Sequence, residues 1–303
     1  MPAHSYAAPP GPWRDLRPAV VGHRGARGLA PENTVTGMRA AIDVGCRAIE
    51  LDVLLTADGH VVVWHDPVID ASKCRPTGPG LIGARVDELT LAQLSTLDVG
   101  SLPAPGHPRQ RPVPGERIPT LAEVFQACAD VPDLWWVVEV KLDPTDPREV
   151  ATRHTLLDGV LGEINAAGLR ERTFVHSFDW AVLELSHRLD PQVPRSALAE
   201  VGDTWRPGSP WTGRVRWENH NGDLASAAAE LGVAVLSPDA PGCDAGLVAG
   251  AHDRGIAVLP WTVNDLAEVD RLAAAGVDGI VTDDPDLVLA RLAERPGRAR
   301  HAH

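Results

Sequence analysis

Eight short apolar runs, rich in β-branched residues, recur along the chain with helical stretches between them: Ala19 to Gly22, Arg47 to Val53, Leu134 to Val140, Thr173 to Ser177, Arg195 to Glu200, Val233 to Ser237, Ile256 to Thr262 and Asp278 to Thr282. Strands that alternate with helices lie parallel, because a parallel pair needs a long crossover between its members. None of the eight shows the apolar-polar alternation of a half-exposed edge strand, so the sheet is expected to close on itself. The pattern predicts an α/β fold, a single (β/α)8 TIM barrel. Its 303 residues exceed the roughly 250 typical of such barrels, which leaves room for an insertion.

Local signals agree at both ends. Pro31-Glu32-Asn33-Thr34 starts a helix whose Val35, Met38 and Ile42 fall at helical spacing, and Gly45 closes it. Leu266, Val269, Leu272 and Ala273 repeat that spacing before Gly276. Two stretches break the rhythm. Residues 66–118, rich in Pro and Gly, are too long for an ordinary connection and read as an insertion after the second strand. Residues 202–222 carry Trp205, Trp211 and Trp217 after the fifth strand, either facing a substrate or pinning the loop to the barrel. The catalytic domain is expected to span 19–292, between flexible segments at 1–18 and 293–303.

The chemistry concentrates at strand ends, where barrels of this type build their sites. The first strand ends in Val21-Gly22-His23-Arg24-Gly25. In the second, Glu50 and Asp52 are two residues apart and project to one face. Paired carboxylates facing a barrel interior repel and are costly to desolvate unless a cation neutralises them, and a hard divalent ion is the simplest answer. Asp58-Gly59 between β-branched runs is a hairpin signal. Taken as a two-residue turn, it pairs Asp52 with His65 on one face. The third strand adds Glu139 and Lys141, again two apart. Two imidazoles, three carboxylates, an Arg and a Lys suit phosphoryl transfer, with proton exchange by the imidazoles.

Charge narrows the partners. A net charge of −13 would repel nucleic acid and an anionic membrane surface, so neither is expected as a partner. An anionic small-molecule substrate would then need a bound cation and placed basic residues. Cys46, Cys74, Cys128 and Cys243 are too scattered for a zinc or redox motif and read as reduced. With no basic start followed by an apolar run, and no span-length apolar segment, the expected location is cytoplasmic.

The segments His23-Arg24-Gly25, Pro31-Glu32-Asn33-Thr34, Glu50-Leu51-Asp52-Val53, and Asp58-Gly59 followed by His65-Asp66 resemble the signature of the glycerophosphodiester phosphodiesterase family. The likeness continues through Ile118 to Leu121, Glu139-Val140-Lys141, Ser177-Phe178, Trp261 to Asn264 and Gly276 to Asp283. The resemblance implies a TIM barrel with a small insertion after the second strand. It implies that Glu50, Asp52 and Glu139 hold one Mg²⁺ or Ca²⁺ ion, that His23 and His65 are general base and general acid, and that Arg24 and Lys141 contact phosphate. It further puts Trp261 at the substrate. The implied reaction converts a glycerophosphodiester to glycerol 3-phosphate and an alcohol, and the glycerol hydroxyl can attack phosphorus before water completes hydrolysis. Ala71 to Thr77 departs from the family's usual Arg-Thr-Thr-rich turn. Two rivals use the same residues: phospholipase D-like or lyase-type cleavage of a lysophospholipid, and a non-catalytic phosphate-binding barrel.

Overall fold

The computed structural model describes residues 8–13, 18–76, 78 and 80–295. In chain order, β1 (Ala19–Gly22) leads through the helix Val35–Val44 to β2 (Ala48–Leu55), which turns back as β3 (Val61–Val63). A two-stranded ribbon, β4 (Arg75–Pro76) and β5 (Leu97–Asp98), follows before the barrel resumes with β6 (Trp135–Val140), β7 (Thr173–Ser177), β8 (Arg195–Ala199), β9 (Val235–Pro238), β10 (Ala257–Val258) and β11 (Gly279–Thr282). Eight strands run parallel in the order β10-β9-β8-β7-β6-β2-β1-β11. Hydrogen bonds from Asp278 N to Val258 O (3.0 Å) and from Val281 N to Pro260 O (3.0 Å) join the two outer members, nearly closing the barrel the sequence predicts.

Side chains of period two divide the strands between two cores. Ile49, Leu51 and Val53 point outward, beneath the helices, in the main apolar cluster. Ala48, Val137, Phe174, Val235 and Val281 fill the barrel interior. Two residues further along the same strands the interior turns polar: His23 follows Val21, Glu50 follows Ala48, Glu139 follows Val137, and Asp283 follows Val281. The floor is closed by stacked rings, Trp13 on Phe174 (centroids 5.6 Å) and Trp135 on Phe174 (5.3 Å). Trp13 is fully buried although it lies in the leading segment expected to be flexible. Residues 1–7, 14–17 and 296–303 of the expected flexible ends lie outside the described residues. All four cysteines are unpaired and buried.

The hairpin register differs from expectation by one residue. Val53 pairs with Val63 and Leu55 with Val61, and Trp64 N donates to Asp52 O at 3.0 Å, so Trp64 rather than His65 stands opposite Asp52. The cause is the turn. Thr56 N donates to His60 O (3.0 Å), Thr56 Oγ1 accepts from His60 N (2.9 Å), and Gly59 adopts φ 81°. That is a three-residue loop, not a two-residue one. The insertion has its own small core, in which Ile69, Cys74, Leu81 and Leu94 pack on Leu54, Val62 and Trp64.

Candidate active site

The barrel register sets the acidic residues side by side, with Asp52 opposite Glu139 across β2 and β6. Glu50, Asp52 and Glu139 are buried, and each offers an oxygen within 4.8 Å of the others'. Burial, then the charges of Asp52 and Glu139, push the Glu50 carboxyl well above the ordinary range. Its Oε1 is buried without a hydrogen-bond partner. An orphaned oxygen, three converging carboxylates and all-oxygen donors fit a hard divalent cation such as Mg²⁺ or Ca²⁺. Asp52 differs. Burial works to raise it, but Arg24, His65, Lys141 and the Asn33 amide hold it below the ordinary carboxylate range.

The loop after β1 delivers the next groups. Arg24 (φ 50°) and Gly25 (φ 87°) both adopt the left-handed conformation. A Cβ on Gly25 would lie 2.5 Å from the Gly37 carbonyl carbon, so only glycine fits there. This tight path puts Arg24 N 2.9 Å from Glu50 Oε2 and brings the Arg24 side chain to Glu32 Oε1 (3.1 Å) and Asp52 Oδ2 (3.3 Å). Asn33, also left-handed at φ 55°, donates from Nδ2 to Asp52 Oδ2 at 2.9 Å. Across the site, Lys141 Nζ is 2.8 Å from Glu139 Oε1 and 3.8 Å from Asp52 Oδ1. Burial would lower its pKa, but these two carboxylates raise it.

Both predicted histidines stand at this mouth with the same local arrangement. His23 Nδ1 is 2.6 Å from Asp283 Oδ1, and its Nε2 is 3.9 Å from Glu50 Oε2. Burial depresses the His23 pKa, against the raising effect of Asp283. His65 Nδ1 is 2.6 Å from Asp66 Oδ1, and its Nε2 is 3.2 Å from Lys141 Nζ. After Trp64 the chain leaves the ladder, which is how His65 reaches the site despite the shifted register.

Several participants escaped the sequence reading. Asp66 and Asp283 lie within the segments that resemble the family signature, but sequence alone does not pair them with His65 and His23. Asn264 Nδ2 holds Asp283 Oδ2 at 2.7 Å. His176, beside Glu139 in the β6–β7 register, is buried, and its Nδ1 is 2.8 Å from Ser196 Oγ. Burial pushes its pKa down to about 3. The available signal was its place two residues after the interior Phe174.

The three tryptophans of 202–222 divide their roles. Trp205 is buried and stacks on Trp180 with centroids 5.7 Å apart, and Trp217 packs against the main core. Trp211 is half-buried, its ring 6.1 Å from that of Phe178, which in turn meets Trp261 edge-on at 5.3 Å. Phe178 follows the C-terminal end of β7, so these rings form an aromatic wall on the strand-end face.

The profile of the glycerophosphoryl diester phosphodiesterase family matches residues 23–287. A glycerophosphodiester phosphodiesterase of Caldanaerobacter subterraneus subsp. tengcongensis is 30% identical over 90% of this chain and 97% of its own length. A crystal structure from Silicibacter pomeroyi, assigned as a glycerophosphoryl diester phosphodiesterase, superposes with a TM-score of 0.81 at 34% identity, covering 91% of this chain and 93% of that one. A phosphodiesterase of Oleispira antarctica, solved in complex with the product sn-glycerol-3-phosphate, shares the fold at a TM-score of 0.71 and 23% identity, covering 91% and 97% of the two chains.

Proposed function

Because the chain belongs to the glycerophosphoryl diester phosphodiesterase family and is an enzyme of that activity, we propose that it hydrolyses glycerophosphodiesters to glycerol 3-phosphate and an alcohol by metal-assisted, two-histidine acid–base catalysis. Glu50, Asp52 and Glu139 would hold the cation. A divalent ion there would offset the charge of the phosphate and make phosphorus more open to attack.

The chain's own residues supply the rest. His23, tied through Nδ1 to Asp283 and kept neutral by burial, presents Nε2 to take a proton from the attacking hydroxyl. His65, oriented through Nδ1 by Asp66, donates a proton to the leaving oxygen. Arg24 and Lys141 bring positive charge beside the carboxylates, where both can contact a phosphate. Trp261 and the adjoining rings Phe178 and Trp211 would flank the organic part of the substrate. A cytoplasmic setting belongs to the same reading and is supported by the four unpaired, buried cysteines. Among the described residues no helix is long and apolar enough to cross a membrane.

The observation that carries this reading is the doubled motif of an imidazole backed by a carboxylate at 2.6 Å, with both rings set around one acidic triad. Turnover of glycerophosphocholine would be measured with Mg²⁺ or Ca²⁺, after chelation, and in His23→Ala and His65→Ala. Loss of turnover in both variants and on chelation is expected; undiminished turnover in the variants removes the proton relay. A cyclic phosphate end product would instead assign lyase-type chemistry, and binding without turnover a non-catalytic barrel.

A further inference from the structure

We propose that Lys73, supplied by the insertion, is a positioning residue that bridges the arm carrying His65 and the arm carrying Arg24. Lys73 Nζ lies 2.5 Å from Asp66 Oδ2 and 3.0 Å from Glu32 Oε1. Asp66 gives its other oxygen to His65 Nδ1 at 2.6 Å, and the same Glu32 oxygen takes Arg24 Nη1 at 3.1 Å. A continuous chain of charge thus runs His65, Asp66, Lys73, Glu32, Arg24, Asp52. It joins one proposed proton-transfer group, His65, to one proposed phosphate-binding group, Arg24, and ends on the acidic triad.

The lysine is held for this task. Its residue lies in a turn in which Asp70 Oδ1 accepts from Ser72 N (2.7 Å) and Asp70 O accepts from Lys73 N and Cys74 N (3.1 and 3.3 Å). Cys74 is buried in the insertion core. Nζ also stands 6.0 Å from the ring centroid of Trp64, the residue opposite Asp52 in the hairpin. Glu32 keeps Arg24 and Arg27 without Lys73, whereas Asp66 Oδ2 loses its cation. The expected consequence falls on the alignment of His65. In sequence, Lys73 falls in the segment Ala71 to Thr77, where the chain departs from the family pattern.

The inference rests on the hydrolytic reading above, and its test separates the two. Lys73→Met, Lys73→Arg and, as a control, Arg85→Met would be compared. Arg85 ties the insertion to Glu149 at 3.0 Å, and its ion pairs run to Asp87, Asp146 and Glu149 rather than to a site residue. Lys73→Met should lower kcat about 10- to 100-fold, as loss of a supporting partner typically does, with KM little changed. Lys73→Arg should recover most of kcat, and Arg85→Met should keep it. Unchanged kcat in Lys73→Met, no recovery in Lys73→Arg, or an equal loss in Arg85→Met would overturn the proposal. The Nδ1–H proton resonance of His65 gives a readout independent of turnover: present in the wild type and lost in Lys73→Met if the bridge acts, unaltered if it does not. A wild type inactive on glycerophosphodiesters would sink the hydrolytic reading, while this resonance still decides the bridge.

Discussion

Asp283 divides its two oxygens between two partners, His23 Nδ1 at 2.6 Å and Asn264 Nδ2 at 2.7 Å. Burial would raise its carboxyl, but the hydrogen bond and charge of His23, with Asn264, hold it down near 2. It is therefore ionised across the working pH range and fixes the ring so that Nε2 faces the acidic triad. Asp283→Asn can present an NH₂ group to Nδ1 and favour the wrong tautomer. We expect kcat to fall by at least about 10- to 100-fold, the range for lost orienting partners, with little change in KM, measured by steady-state kinetics.

Glu50 should limit the stability of the metal-free protein. Its folded pKa lies above that of the unfolded chain, so its contribution is present at low pH and is lost as pH rises through the folded value. Glu50→Gln keeps the shape and removes the charge. The metal-free variant is expected to melt no lower than the wild type at pH 8, while the stabilisation of the wild type by added Mg²⁺ or Ca²⁺, on the order of 2.7 kcal/mol at a hundredfold excess over Kd and seen as a rise in Tm, disappears. Thermal scans with and without metal check both halves.

His176 should make the fold acid-sensitive. The folded ring takes up a proton near pH 3 and the unfolded ring near 6.5, so between those values the unfolded state binds more protons and stability falls as pH falls. His176→Asn should remove roughly 2 kcal/mol of the stability lost between pH 7 and 5, the fraction of that window crossed. Urea unfolding of both proteins at the two pH values measures the difference.

Two tryptophans of one loop should fail differently. Trp205, buried on Trp180, is expected to cost about 3–5 kcal/mol on truncation to Ala. Trp211→Ala should leave Tm nearly unchanged and raise KM several-fold for substrates with bulky leaving alcohols, because its ring contributes to the wall formed with Phe178 and Trp261. A kinetic series over glycerophosphodiesters of increasing head-group size checks this.

The features legible in the sequence are those governed by short-range periodicity. Strand alternation alone set Glu50 with Asp52 and Glu139 with Lys141, and the helix cap at Thr34 appears with its Oγ1 accepting from Gly37 N at 3.0 Å. The hairpin register was misread because Asp58-Gly59 serves both two- and three-residue loops, and the choice depends on the Thr56–His60 closure. The partnership of His23 with Asp283 spans 260 residues; the expected barrel closure makes β1 and β11 neighbours, but which side chains meet depends on their register. Trp13 gave no periodic signal, and only three-dimensional packing on Phe174 reveals its place.

The stacked rings beneath the polar layer give the reaction chamber a sealed back wall. The acidic triad and both imidazoles are therefore reached from the face at the strand C-termini. Trp211, Phe178 and Trp261 line that same face, so the one open side of the chamber is also where the organic part of a guest is sorted.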